Sequence, residues 1–151
     1  MKNKSKFTPP DYLFGYIGLQ IILHYFLPIN KIIFPPFIYF GIPLIIFGLY
    51  LNWVHVYNVF IKAKTHFDVY RMPKVFVTSG FFKYSRNPTY FGMFLTLLGV
   101  AVLLGSITTF LLPILFLVLI NKFTIPIEEK NLEEKFGKKY LNYKKKVRRW
   151  I

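Results

Sequence analysis

The sequence predicts an all-α, polytopic membrane protein with about four transmembrane helices, including a tight C-terminal hairpin, followed by a cytoplasmic amphipathic helix. Three observations carry that prediction. Hydrophobic residues make up 54% of the chain and aromatic ones 21%, and the mean hydropathy of +0.42 exceeds that of ordinary soluble domains. Three stretches hold no charge at all: Tyr12–Ile29, Ile32–Ile61 and Asn87–Asn121, of 18, 30 and 35 residues. About 20 apolar residues suffice to cross the hydrocarbon layer. Finally, the 20 Lys and Arg residues crowd into the segments outside these stretches. A length of 151 residues fits one domain, 1–151.

The first span, about 12–29, has aromatic residues at Tyr12 and Tyr25 and stops at Pro28, as a helix anchored at the interface does. Only Leu27, Pro28, Ile29 and Asn30 come next, with no small-residue cleavage site, so this helix is expected to be retained. The second span, about 35–60, begins at Pro35 and Pro36, which suit a first turn and not an interior, and Pro43 is a candidate kink. A single helix over Asn87–Asn121 would be roughly 52 Å long, well beyond the roughly 30 Å layer. Gly105 and Ser106 offer a tight turn that divides it into spans of about 88–104 and 107–125. In the remaining segment, 126–151, Leu132, Phe136, Tyr140, Tyr143, Val147 and Trp150 recur every three or four residues, opposite Lys and Arg. That pattern predicts an amphipathic helix on the membrane surface, broken or capped at Gly137.

Charge then orients the bundle. Three lysines (Lys2, Lys4, Lys6) precede the first span, Lys31 alone comes after it, and the hairpin turn has none. Six basic residues (Lys62, Lys64, Arg71, Lys74, Lys83, Arg86) lie between the second and third spans, and ten run from Lys122 to Arg149. Lys and Arg collect on the cytoplasmic side, so both termini and the central loop are expected there. The net charge of +14 is accounted for by topology and membrane lipids as partners, and nucleic acid is not an expected partner. With no cysteine, disulfides, thiolate nucleophiles and Cys-based zinc sites are excluded, and no metal site is expected.

Chemistry is confined to two polar segments. In the first, Thr65–Gly92, Asn87 and Pro88 read as an N-cap and first helical position, placing Arg86 beside a positive helix end. Such a pairing can seat a carboxylate or phosphate; alternatively, Arg86 anchors the helix among lipid phosphates. In the second segment, adjacent Glu128 and Glu129 point about 100° apart on a helix, so they form no proton-sharing pair. They either cap a helix start and pair with lysines, or bind a cation. His55 aligns with Asn52 and Asn58 as a polar stripe for helix contacts or a cavity wall. His24 reads as structural. His66, near Asp68, is a candidate general base.

Taken together, Thr78-Ser79-Gly80, Tyr84-Ser85-Arg86-Asn87-Pro88, Tyr90 and Gly92, followed after a hydrophobic hairpin by Pro126, Glu128-Glu129, Leu132, Phe136-Gly137, Tyr140, Tyr143, Val147 and Arg149, resemble a known family. It is the isoprenylcysteine carboxyl methyltransferase and phospholipid methyltransferase family of integral membrane enzymes, and the likeness covers roughly Thr65 to the end. The resemblance implies an S-adenosylmethionine-dependent methyltransferase whose cofactor enters from the cytoplasm and whose lipophilic small-molecule or lipid acceptor enters from the bilayer. It places Gly80, Tyr84, Arg86, Asn87, Pro88 and Tyr90 in the cofactor site, closed by Glu128 and Glu129. Arg86, Glu129 and His66 are the catalytic candidates. Two departures stand out. Many bacterial relatives have Gly-Pro-Tyr where this chain has Gly80-Phe81-Phe82. Prenylcysteine-methylating members place an arginine about one turn before the glutamates, whereas Phe123–Ile127 contains no cation and Lys122 is nearest. Lipid amines and other lipophilic acceptors therefore stay open. So do two other readings, a membrane reductase using NADPH and a non-enzymatic scaffold or lipid-binding protein.

Overall fold

The computed structural model describes residues 9–27, 30–63 and 75–151. Among the described residues all regular elements are helical, with only isolated bridges at Lys31–Ser106 and Ser85–Arg148 and no strand. We number five helices: α1 (Pro9–Phe26), α2 (Phe37–Lys62), α3 (Pro88–Leu104), α4 (Ile107–Phe136) and α5 (Lys138–Lys146). By length and composition α2 and α4 suffice to cross a membrane, while Tyr12–Phe26 and Pro88–Leu104 are shorter apolar helices.

Helix α3 is the centre of the bundle. Thr89, Tyr90, Met93, Thr96, Leu97 and Ala101 on it are all buried, whereas α2 and α4 expose Ile46, Phe47, Trp53, Leu111, Ile114 and Val118. That apolar outer surface suits lipid. Helices α2 and α3 cross closely because glycines meet: a Cβ at Gly41 would strike the Gly99 backbone, and one at Gly48 would strike Gly92 and Thr96. Small residues at a crossing let backbones approach where lipid gives no hydrophobic drive. On the other side Leu13 of α1, Tyr90, Met93 and Leu97 of α3, and Phe116 and Ile125 of α4 form one core cluster.

The hairpin turn forms where Gly105 and Ser106 foretell it. Gly105 takes φ +70°, and its N–H bonds the Ala101 carbonyl at 2.9 Å. A left-handed residue at a helix end is the usual place for glycine. The α1–α2 connection meets this turn, since the Ile32 amide donates to the Gly105 carbonyl at 2.8 Å. His24 Nδ1 lies 2.7 Å from Ser106 Oγ, and Gln20 Nε2 donates to the Leu97 and Thr109 carbonyls. His24 is thus a tie between helices.

Three features lie beyond the sequence reading. Helix α2 carries a π-helical stretch at Tyr50–Val56, and Pro43 falls in its α-helical part, Gly41–Leu49. The helix that holds the fourth expected span runs on past 125. It passes through a second π-helical stretch, Ile120–Thr124, directly before Pro126, and continues to Phe136. A wider turn tolerates a proline that has no N–H to give. Third, the apolar side of 136–143 packs on the chain itself: the rings of Phe136, Tyr140 and Tyr143 lie 5.2, 5.8 and 5.2 Å from Phe76.

Candidate functional site

Because α4 has no break at Thr124 (φ −81°, ψ −53°), no helix start exists there for Glu128 and Glu129 to cap. Both instead project from a continuous helix beside the start of α3. At 30 residues α4 is roughly 45 Å long, more than an apolar layer of roughly 30 Å requires, and all of its acids lie in its last turns, after Ile127. Glu129 is only 8% exposed. A buried carboxylate needs compensating charge, and three cations supply it. Arg86 Nη1 lies 3.1 Å from Oε1. Arg149 grips the carboxylate with two bonds, Nε to Oε1 at 3.1 Å and Nη2 to Oε2 at 2.9 Å. Lys144 Nζ stands 3.7 Å from both Glu129 and Glu133. The other glutamate takes a different partner: Glu128 Oε1 accepts from the Tyr90 hydroxyl at 2.7 Å.

The C-terminal segment after α5 closes against the start of α3. The Arg86 amide donates to the Arg148 carbonyl at 2.9 Å, and Ser85 Oγ and Asn87 Nδ2 both donate to the Arg149 carbonyl, at 3.2 and 3.0 Å. Asn87 does stand at the N-cap position with Pro88 next, but its side chain is spent on Arg149 and the Ser85 hydroxyl accepts the Asn87 amide at 3.1 Å. Arg86 Nη1 also donates to the Tyr140 hydroxyl at 3.3 Å, and Tyr143 donates to the Phe82 carbonyl at 2.6 Å. Burial raises the pKa of both tyrosines, keeping them neutral. The hydrogen bond to Glu129 raises that of Arg149, which stays charged.

The residues expected to act together separate into two groups. Arg86, Asn87, Pro88, Tyr90, Glu128 and Glu129 converge where the start of α3 meets α4. Gly80 and Tyr84 do not join them: Gly80 packs against His55, and Tyr84 is 68% exposed with its ring toward Phe81. His66 lies outside the described residues. Of the polar stripe on α2, Asn52 bonds the Gly48 carbonyl of its own helix at 3.0 Å. Sequence reasoning missed Arg149, Lys144 and Tyr140 as site residues, although Arg149 and Tyr140 belong to the resembling motif. The usable signal was the excess of cations over the few acids in 128–149.

Beside this cluster a groove of about 340 Å³ runs between α3 and α4, lined by Phe91, Phe94, Leu117, Val118, Asn121 and Trp150. It connects to the charges through one bond, Arg149 Nη1 to Asn121 Oδ1 at 3.1 Å. Asn121 sits in the π-helical stretch of α4. Among the described residues no cluster of metal-ligating side chains is found.

Comparison with known proteins adds to this geometry. The family model described as phospholipid methyltransferase matches residues 37–139, which extends the likeness back through α2. The chain is 40% identical over 74 residues to a protein-S-isoprenylcysteine O-methyltransferase of Schizosaccharomyces pombe, covering 47% of this chain and 30% of that protein. It is 33% identical over 116 residues to the protein of the same name in Saccharomyces cerevisiae, covering 71% of this chain and 45% of that one. An uncharacterised protein of Haemophilus influenzae is 45% identical over 62 residues, covering 41% of this chain and 98% of that protein. The chain thus spans less than half the length of the two yeast methyltransferases it matches. No solved structure matches.

Proposed function

The chain belongs to the phospholipid methyltransferase family, and from that membership we propose that it transfers a methyl group from S-adenosylmethionine to a lipophilic acceptor at the cytoplasmic membrane face. The observation that carries the reading is Glu129, a buried carboxylate held by Arg86, Lys144 and Arg149 and joined through Asn121 to an apolar groove.

The residues fit such a cofactor at its amino-acid end. Glu129 is already matched by three cations, so what the cluster offers is Arg86, held by Glu129 beside a helix start, which suits the cofactor's carboxylate. Two buried polar atoms near that start, Arg86 Nε and Thr89 Oγ1, have no hydrogen-bond partner in the protein. Such atoms are rare in folded proteins and fit the polar atoms of a ligand. Bound there, the cofactor would supply a methyl group on a positively charged sulfur, already electrophilic.

The protein's own part in this reading is positional. Glu129 and Arg86 orient charge, Tyr90 fixes Glu128, and Phe91, Phe94, Leu117 and Val118 hold the acceptor's hydrocarbon away from water. His66 serves as general base where the acceptor is an amine or hydroxyl. The reductase and scaffold readings gain nothing from the family.

The test is a titration of the full chain in detergent with S-adenosylhomocysteine and, separately, NADPH. Micromolar binding of the first and none of the second is expected. Glu129→Gln and Arg86→Ala should each weaken that binding by about tenfold or more, the scale of one charge-assisted hydrogen bond. Folded wild-type protein that binds no S-adenosylhomocysteine would overturn the reading.

A further inference from the structure

The turn that leads into the site is held from an unexpected direction. Gly80–Lys83 forms a single 3-10 turn, and its N-cap residue Ser79 makes no side-chain bond to it. The first amides of any such turn lack partners within it. Here the Phe81 amide donates to His55 Nε2, 2.9 Å away on α2. A histidine from another helix thus supplies the missing cap.

The surroundings tie these two groups together. The His55 and Phe81 rings meet edge to face, centroids 4.8 Å apart at 89°, and Phe47 approaches Phe81 at 6.3 Å. A Cβ on Gly80, which has φ +63°, would overlap the His55 ring. Glycine at 80 therefore serves both the backbone and the histidine. His55 lies in the π-helical stretch Tyr50–Val56, and such a stretch rotates the succeeding turns relative to an uninterrupted α-helix.

Phe81 passes the restraint onward. Its carbonyl accepts the Tyr84 and Ser85 amides, both at 3.0 Å, and Ser85 Oγ accepts the Asn87 amide at 3.1 Å. Between those two anchored residues stands Arg86, with Nη1 on Glu129. A short run of hydrogen bonds therefore connects α2 to the guanidinium.

We propose that His55 is a positioning residue: its neutral ring, accepting at Nε2, sets the Gly80–Lys83 turn and through it the placement of Arg86 against Glu129. An accepting Nε2 requires the proton on Nδ1. The inference rests on reading Arg86 and Glu129 as cofactor-binding groups. It also accounts for Phe81 in this chain, because a proline at that position would offer no amide for His55 to hold.

The test uses the full chain in detergent, with S-adenosylhomocysteine as probe and hydrogen exchange of the peptide spanning 80–85 as a readout independent of it. His55→Ala should weaken binding about three- to tenfold, as loss of one neutral hydrogen bond does. His55→Leu, which fills space without accepting, should behave likewise, and His55→Gln, whose amide oxygen accepts, should recover most of the affinity. With Phe81→Pro, the preset turn and missing amide should make position 55 indifferent, so that Phe81→Pro and its double variant with His55→Ala bind alike. Wild-type affinity in His55→Leu, or further loss in the double variant, would overturn the inference. If wild-type protein binds no S-adenosylhomocysteine, the cofactor reading falls and hydrogen exchange decides the rest. Faster exchange at 80–85 in His55→Ala but not in His55→Gln supports the positioning role, and equal rates in both refute it.

Discussion

Glu129 and Glu128 are neighbours in sequence with opposite surroundings. Glu129 is gripped by two arginines and a lysine, whereas Glu128 meets a single tyrosine hydroxyl. Arg149→Ala removes the two-bonded partner of Glu129. Because Arg149 is one-third exposed and Arg86 and Lys144 remain, the expected loss is modest, about 1–2 kcal/mol, seen as a lower melting temperature in detergent. An unchanged melt would show that the pair contributes nothing. Tyr90→Phe removes the hydroxyl that bonds Glu128 and should lower stability by about 1 kcal/mol. It should leave S-adenosylhomocysteine affinity within a few-fold of wild type, because Glu129 is the glutamate that faces Arg86; a collapse in affinity would reassign the roles. The sequence showed that the two glutamates must diverge, since adjacent helical positions differ by about 100°. Which of them turned toward Arg86 depended on how α4 passes α3.

Helix existence and the hairpin turn were legible because they are local. A run of 35 uncharged residues must fold back, and Gly105 is where the backbone can do so. Gly105→Ala would place a Cβ in a left-handed conformation at roughly 1–2 kcal/mol, measurable as a lower melting temperature. The α2–α3 crossing is a stronger test of packing. Gly41 faces Gly99 and Gly48 faces Gly92, two antiparallel pairs seven residues apart on each helix. Gly48→Leu should separate the helices and destabilise the protein by about 1–3 kcal/mol, with the change read by thermal melting. Retention of wild-type stability would mean that α2 and α3 are not held by this contact. The π-helical stretches were invisible in sequence, because apolar periodicity does not register one extra residue per turn.

At the scale of the molecule, the two short connections meet at one end of the bundle and the charged cluster stands at the other. We propose that the cluster end is cytoplasmic. The absence of native cysteine makes the test clean: single Lys31→Cys and Lys138→Cys variants in intact cells, exposed to a membrane-impermeant maleimide. Labelling of the first from outside, and of the second only after permeabilisation, is expected from the basic residues; the reverse pattern would invert the topology. Removing Val147–Ile151 should abolish S-adenosylhomocysteine binding while leaving helicity by circular dichroism nearly unchanged, because those residues tie α3 to α4 without belonging to a helix.

Uncharged length, glycine placement and short motifs are properties of neighbouring residues, and from them the helical class, the hairpin, the family resemblance and the two charged segments could be read. Packing between distant segments settled that Arg149, beyond Gly137, reaches Glu129, that Tyr84 stands exposed outside the cluster, and that His55 caps a turn 25 positions further on. Those pairings depend on how α2 and α4 cross α3 and on where the segment after α5 lies against it. A crossing angle is set jointly by the side chains of both partners, so neither helix's own sequence contains it.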